Sequence, residues 1–277
     1  MKKLLFTATL VALLPLLFSC GKENNGGENK FEEPRFVQYA GKLVPRGGDP
    51  APTSLISQRA ETSPIKYLEF TESGLFVLGR QLLGGLSFST GTYTTTDGLT
   101  FTLRNGSTVT VSGSSGAVDV TISPSGESFK ATLTKASGTN VAYRSWTIDK
   151  VRATIKGHGD PVTAEFNGCN FVEIKKFLND NGHKGDYLPD CSLTSISFTG
   201  ANTVLFAFSD NMADVGDCTI SGNNVNFSWL SNSRLFEVEN GKATIDYLDG
   251  KCILKVDATL KGSTTSGSVT FVMSPMK

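Results

Sequence analysis

The stretch from Cys252 to Leu260, CILKVDATL, decides the fold most clearly, and its neighbours repeat the same pattern. Apolar side chains occupy every second position of it: Cys252, Leu254, Val256, Ala258 and Leu260. The positions between them are mostly polar. Successive side chains of a β-strand point to opposite faces, so this alternation predicts a strand with one buried face and one wet face. Strands of that kind are typical of antiparallel sheets.

The same alternation continues outward through both halves of the chain. It is found at residues 99–103, 118–122, 129–133, 225–229 and 243–247. Asp97-Gly98, Asn105-Gly106 and Asp249-Gly250 stand between such runs, and both residues of these pairs tolerate the positive φ of tight hairpin turns. Many short strands separated by turns predict an all-β sandwich or barrel.

One segment departs from the strand pattern. Its apolar residues recur at helical spacing between 170 and 181: Phe171, Ile174, Phe177 and Leu178. Asn170 is suited to cap the start, and Gly182 is suited to end the helix in a left-handed conformation. The sequence therefore predicts one short amphipathic helix, whose apolar stripe covers a barrel or packs beside a sheet.

The two halves resemble each other at a nearly constant offset of 125 to 128 residues. Segment 68–71 aligns with 196–199, 91–94 with 216–219, and 131–133 with 258–260. Their shared order favours a duplication into two related antiparallel β-barrel or sandwich modules. We place an N-terminal β domain at residues 35–140 and a C-terminal β domain, which holds the helix, at 141–277. One large sheet is the alternative.

The first twenty residues resemble the leader of a bacterial lipoprotein. Lys2 and Lys3 precede an uncharged stretch, 4–18, which is shorter than the about 20 apolar residues that a spanning helix needs. Leu17-Phe18-Ser19-Cys20 then resembles a lipobox. The resemblance implies a signal peptide at 1–19 and lipid attachment at Cys20, followed by a flexible polar tether at 20–34.

The location follows from the residues around that cysteine. Lys22-Glu23 is similar to the charged export signal of surface lipoproteins in Bacteroidetes. We therefore expect a protein that is lipid-anchored in the outer membrane and faces the cell exterior. The chain carries 26 basic and 26 acidic residues without a basic cluster. Nucleic acid binding needs such clusters to neutralise phosphates, so nucleic acid is not an expected partner.

Four cysteines follow Cys20, and all lie in the second half: Cys169, Cys191, Cys218 and Cys252. An even number outside the cytosol predicts two disulfides. Sequential pairing, Cys169–Cys191 and Cys218–Cys252, closes the shorter loops. Free buried cysteines are the alternative. A zinc site is disfavoured because the cysteines do not come in close pairs.

Catalytic chemistry is weakly indicated. The two histidines, His158 and His183, stand in Gly-rich segments, and no phosphate-binding loop, zinc-protease or nucleophile-elbow motif occurs. Asp210, Asp214 and Asp217 do not match the spacing of an EF-hand loop. We therefore assign no catalytic residue, no metal ligand and no cofactor from the sequence.

The aromatic residues offer another route to function. Trp146, Trp229, Tyr93 and Tyr187 could form a sugar-stacking surface or fill cores. Trp146 and Trp229 lie in alternating strands, which favours a core position for these two. Tyr187 follows the helix in a Gly-rich segment and is the least committed to a core. It is the candidate ligand-binding residue.

The second half carries a family resemblance. Ser145-Trp146-Thr147-Ile148 leads into a strand, the helix follows, and a meander runs from Phe198-Thr199 to 269–272. This arrangement resembles the lipocalin-like (calycin-like) β-barrel lipoproteins of Bacteroidetes. It implies a C-terminal lipocalin-like barrel and a non-catalytic protein that binds a glycan or a small apolar ligand. The alternative is a surface hydrolase whose carboxylate pair is assembled only in the fold.

Overall fold

The computed structural model describes residues 41–45, 65–83, 85–96, 98–114, 117–137, 140–156, 160–182, 188–230, 238–260 and 266–276. Within these ranges the chain forms eighteen strands and one helix. None of the strand pairings between named strands is parallel. The all-β fold with antiparallel pairing and one short helix is confirmed.

Eight strands make the first barrel: β1 (Gly41–Pro45), β2 (Ile65–Phe70), β3 (Leu75–Leu82), β4 (Gly85–Thr94), β5 (Thr100–Leu103), β6 (Thr108–Ser114), β7 (Ala117–Ser123) and β8 (Glu127–Lys135). Each strand pairs with the next one along the chain. Because β1 also pairs with β8, through Leu43 opposite Leu133, the ring closes and leaves no free edge.

The second barrel begins with β9 (Ser145–Lys156), and its remaining elements are β10 (Val162–Asn167), β11 (Cys169–Asn170), α1 (Phe171–Asp180), β12 (Ser192–Thr199), β13 (Thr203–Phe208), β14 (Met212–Ser221), β15 (Asn224–Trp229), β16 (Val238–Leu248), β17 (Lys251–Leu260) and β18 (Ser266–Pro275). β9 and β12 to β18 form a closed ring of eight, because β9 pairs with both β12 and β18. β12 pairs with residues 145–147 of β9, and β10 pairs with residues 150–155 of the same strand. The deciding stretch, from Cys252 to Leu260, lies within strand β17.

The two rings can be compared strand by strand. In the predicted alignment, β2 matches β12 and β4 matches β14. These pairs hold the same rank, second and fourth, in their rings. The third aligned pair does not, because β8 is eighth in its ring and β17 is seventh. The origin of the two halves by duplication stays a prediction.

Helix α1 follows the sequence expectation closely. The Asn170 side chain accepts a hydrogen bond from the backbone N–H of Val172 at 3.0 Å, which caps the helix start. Phe171, Ile174 and Leu178 are buried in the core of the second barrel. Gly182, just beyond the helix, has φ +77°, the left-handed conformation that favours glycine. Among the described residues, no helix has the length and apolar character that crossing a bilayer requires.

Large side chains fill the interior of the second barrel. Trp146 has no exposed surface, and the Phe206 ring lies edge-on to Trp229, with centroids 5.2 Å apart, and to Phe271, at 6.4 Å. Every strand of this ring contributes to one continuous apolar cluster. The C-terminal ring is therefore a closed antiparallel barrel, and its described interior is a packed core.

The barrels meet along a contact that we call the seam, formed by β4 and the outer faces of β2, β3, β12, β13 and β14. Phe88 and Ser89 pair with Ala213 and Met212 as neighbouring strands do. Seven buried side chains form the apolar part of the seam: Tyr67, Leu75, Val77, Phe88, Leu205, Ala213 and Val215.

A buried carboxylate forms the polar part of the seam. Glu69 accepts hydrogen bonds from the Tyr67 hydroxyl and, at 2.7 Å, from the Thr199 hydroxyl of the other barrel. Burial and then the neighbouring Glu69 raise the pKa of Tyr67 well above its ordinary value. The phenol therefore stays protonated and able to donate. Hydrogen-bonded partners of this kind make burial of the carboxylate tolerable.

Candidate ligand-binding site

The first barrel is closed at one end by aromatic rings. Phe70 stacks on Phe101 with centroids 3.8 Å apart, and Tyr93 lies edge-on to both at 5.1 and 5.2 Å. These residues stand where β2 and β4 end and where β5 begins. The Tyr93 hydroxyl donates to the Thr71 carbonyl oxygen at 2.5 Å and so ties the rings to the turn after β2.

Among the described residues, no such cluster of rings closes the opposite end of this barrel. In an up-and-down ring, alternate connections lie at the same end, so the β3–β4, β5–β6 and β7–β8 connections surround it. β1 also ends and β2 begins at this end, and residues 46–64 between them lie outside the described residues. We call this end the mouth. It leads to a cavity of about 330 Å³. That volume lies within the range of roughly 300–1,000 Å³ of small-molecule sites, which often occupy the mouths of β-barrels.

The walls of the cavity are apolar. Six hydrophobic side chains line it: Leu68, Phe76, Leu78, Leu103, Val109 and Ile122. Leu68 and Val109 are about 1% exposed, whereas Phe76 and Leu78 are only half-buried because they face the open space. A site built in this way binds chiefly through the hydrophobic effect.

Alternation along β3 explains how that strand serves two surfaces. Phe76, Leu78 and Arg80 face the cavity, and the odd-numbered positions between them face the seam. Gly79 has a steric role there, because a Cβ atom at this position would lie 2.7 Å from the Phe88 ring. The glycine lets the seam pack closely behind the cavity wall.

Polar groups lie at the mouth. Arg80 donates two hydrogen bonds to Glu127, at 2.7 and 2.8 Å, in a bidentate pair that joins β3 to β8. The Ser125 hydroxyl donates to the same carboxylate at 3.1 Å. The hydrogen bonds from Arg80 hold the pKa of Glu127 below its ordinary value of 4.5, although burial alone would raise it. Asn105, Ser107 and Ser125 add neutral polar groups to the lining.

The lowered pKa of Glu127 predicts an acid-sensitive stabilisation. A carboxyl whose pKa is depressed by folding stabilises the fold above its unfolded pKa, and this contribution is lost as pH falls through the folded pKa. Glu127→Gln should therefore lower the free energy of unfolding at pH 7, and the difference from wild type should shrink toward pH 3. Urea unfolding across that pH range measures it.

A matched control exists on the other barrel. Glu165 pairs with Lys150 at 2.9 Å, but both side chains are about half exposed. Exposed pairs contribute little, so Glu165→Gln should change the free energy of unfolding by under about 1 kcal/mol at any pH. If the Glu127→Gln difference stays constant from pH 7 to pH 3, the pair does not act as the lowered pKa requires.

The sequence-predicted residues are placed differently from this site. Cys20, Tyr187, His158 and His183 lie outside the described residues. Trp146 is buried in the second core, as expected, and Tyr93, for which the sequence left both positions open, is buried in the first. Trp229 is half-buried and packs against the second core. The cavity lies in the N-terminal half, whereas the family resemblance directed attention to the C-terminal half.

Sequence reasoning missed the residues that line the cavity, although one signal was present. Arg80 occupies an inward position of β3, after Phe76 and Leu78, and Glu127 begins the inward face of β8. A charged residue at the end of a strand's apolar face indicates either that the strand reaches solvent there or that the charge is paired with an opposite charge inside the protein. Only the ring closure shows that these two charges meet.

The structure shows no disulfide among the four cysteines of the second half. Cys218 on β14 and Cys252 on β17 have two strands between them. With strands about 4.8 Å apart, their Cα atoms lie beyond the roughly 7 Å that a disulfide can bridge. The strand order therefore argues against the predicted Cys218–Cys252 pair. The prediction rested on the short loop that this pair would close, but the ring places β15 and β16 between the two strands.

The other predicted pair is placed differently. Cys169 is the first residue of β11, which pairs with the start of β12, and Cys191 immediately precedes β12. Beside this pairing, the Phe171 N–H donates to the Cys191 carbonyl oxygen at 3.1 Å. Burial is the main cause that raises the pKa of the Cys169 thiol, to about 12, and Cys191 contributes to the shift. The two thiols are therefore near each other, and a Cys169–Cys191 disulfide stays a prediction.

Acidic groups elsewhere are engaged in structural contacts. Asp214 and Asp217 lie on opposite faces of β14, so they do not converge. Asp149 accepts from Lys251 at 2.8 Å and from Ser274 at 2.6 Å. Burial raises the pKa of Asp149, but these hydrogen bonds outweigh it and the pKa lies below its ordinary value. Within the described ranges, no group of three or more His, Cys, Asp or Glu residues could hold a metal ion.

Comparisons with protein-family models, with characterised proteins and with solved structures find no match to this chain. The cavity itself is therefore the basis for assigning a function.

Proposed function

We propose that the chain is a cell-envelope lipoprotein, anchored through lipid on Cys20, that binds a small apolar ligand in the first barrel without catalysis. The anchor, the outer-membrane location and the outward orientation are supported by the leader sequence. The ligand is supported by one observation above the others: an apolar cavity of about 330 Å³ that opens at the mouth of a closed barrel.

The lining favours an apolar ligand over a glycan. Sugars bind well to exposed aromatic faces, and Phe76 is the only aromatic residue among the described ones that line the cavity. Tyr93 and Trp146 are buried and offer no such face. Aliphatic walls recognise hydrocarbon by excluding water, which requires no particular arrangement of hydroxyl groups in the ligand.

The polar groups indicate the other end of the ligand. Arg80 and Glu127 neutralise each other, so a charged ligand group would have to displace one of them. A neutral hydroxyl, ester or amide can instead hydrogen-bond to Asn105 and Ser107 at the mouth. The cavity thus fits a molecule with an apolar body and a neutral polar end.

The lining also supports binding rather than hydrolysis. A glycosidase needs two carboxyl groups about 5–10 Å apart across the bound bond. Among the described residues that line the cavity, Glu127 is the only carboxylate, and Arg80 holds it. The hydrolase alternative thus has no second acid at this site.

Titration with N-phenyl-1-naphthylamine, a neutral apolar probe whose fluorescence rises in apolar surroundings, tests the proposal. Wild-type protein should bind one probe, and Leu78→Trp should weaken binding by at least about tenfold, because the larger ring fills the cavity. Leu78 is half-buried, so the fold has room for the change.

The matched control is Leu248→Trp, the same replacement at a half-exposed leucine at the β16–β17 turn of the other barrel. It should leave probe affinity unchanged. Far-UV circular dichroism confirms that both variants are folded. Equal affinity of the two variants, or no binding by wild type, would contradict a ligand site in the first barrel.

A further inference from the structure

Two adjacent leucines project into solvent at the β3–β4 hairpin. Leu83 is fully exposed and Leu82 is 47% exposed, which makes them the most exposed pair of neighbouring large apolar residues among the described ones. Leaving aliphatic side chains in water is unfavourable, and exposed apolar groups that cluster commonly mark interaction sites. We call Leu82 and Leu83 the hairpin tip.

The hairpin tip stands beside the mouth of the cavity. Arg80 on β3 lines the cavity at its rim and pairs in register with Ser87, while Leu82 pairs with Gly85. Leu82 follows Arg80 by two residues, so the tip extends about 7 Å farther along the strand direction. An apolar projection therefore adjoins the opening of an apolar cavity.

We propose that the hairpin tip inserts into the surface of a phospholipid bilayer, so that an amphiphile can pass between the bilayer and the cavity. The transfer step rests on the proposed ligand site, whereas the membrane contact rests on the tip alone. Leucine side chains gain by moving from water into the acyl region, and an adjacent opening then shortens the path that a ligand travels through water.

The charges near the tip are compatible with a lipid surface. Lys66 is exposed on β2, next to the register pair of Ile65 and Arg80. A basic side chain close to an inserting apolar tip is attracted by anionic headgroups. The acidic residue nearest along the cavity rim, Glu127, is already paired with Arg80 and so repels a lipid surface little.

The chain that precedes the first barrel permits this orientation. β1 begins at Gly41, which pairs with Phe70 at the closed end, away from the mouth. The twenty residues between Cys20 and Gly41 can span up to about 70 Å when extended. Strand β3, with eight residues, is about 26 Å long. A chain anchored at Cys20 can therefore turn its mouth toward the membrane that holds it.

Vesicle flotation tests the membrane contact. The mature chain, residues 20–277 with Cys20→Ser, keeps every described residue and lacks only the acyl anchor. It should float with vesicles of phosphatidylethanolamine and phosphatidylglycerol. The double variant Leu82→Ser/Leu83→Ser should reduce the bound fraction at least about tenfold, because two apolar insertions are lost. Leu248→Ser, which removes an exposed leucine from a turn of the other barrel, should float like the parent.

The outcomes separate this inference from the ligand proposal. The tip variant should still bind N-phenyl-1-naphthylamine in solution, because the cavity is intact. If the parent floats and the tip variant does not, but neither binds the probe, the membrane contact stands and the ligand site fails. If the parent does not float, or if the tip variant floats equally well, the contact is overturned. It is also overturned if the tip only joins two copies of the chain, which sedimentation velocity without vesicles would show.

Discussion

Replacing Trp146 with alanine should lower the free energy of unfolding by about 3–5 kcal/mol, the range for deleting a buried aromatic ring. Trp146 has no exposed surface, and its indole N–H donates to the Ala142 carbonyl oxygen at 3.1 Å. It pairs with Ile196 on β12 and with Pro275 on β18. The ring therefore lies where β9 closes the second barrel, and its removal would leave a large cavity there. Urea unfolding followed by circular dichroism measures the loss.

Trp229→Ala is the comparison for this prediction. Trp229 lies at the end of β15 and is half-buried, although it also contacts the Phe206 ring at 5.2 Å. Less area returns to water when this ring is removed, so the loss should be clearly smaller. Similar losses for the two variants would show that closure at β9 does not depend on Trp146 in particular.

Placing a charge in the seam should be equally damaging. Leu205 has no exposed surface and lies among Tyr67, Phe88 and Val215, on the outer face of β13. Leu205→Asp buries a carboxylate without a partner, which should cost about 4 kcal/mol or more. The barrels would then separate, and each would unfold on its own. Calorimetry should show one transition for wild type and two for the variant.

Leu248→Asp supplies the control for the seam. It places the same carboxylate at a half-exposed leucine, where water solvates the charge. Such surface changes usually remain within about 0.5 kcal/mol, and unfolding should stay a single transition. If Leu205→Asp also unfolds in one transition with little loss, the two barrels do not depend on each other through the seam.

The position of the seam matters for the site. Glu69 bonds to Thr199 close to the aromatic end of the first barrel, and Phe88 pairs with Ala213 along its side. Neither contact involves the residues that line the cavity. The second barrel, whose own interior is a packed core, therefore supports the first barrel from behind and leaves the mouth unobstructed by the described seam residues.

The local elements followed from the sequence because local physics decides them. Period-two alternation identified β7, β8, β15, β16 and β17, since a strand that buries one face must alternate. Asp249 and Gly250 take φ values of +51° and +74°, as the predicted hairpin turn requires. Helix α1 was predictable from its Asn170 cap and its apolar spacing.

Only the tertiary structure decided which strands meet and what the rings enclose. Alternation shows that Arg80 and Glu127 share a face with apolar neighbours, but 47 residues separate them, and the closure of β8 onto β1 brings them together. The same distinction separates the barrels: one interior is filled by Trp146 and Phe206, and the other keeps a cavity behind Leu78. Whether side chains fill a ring depends on volumes summed over eight strands, and no single stretch of sequence contains that sum.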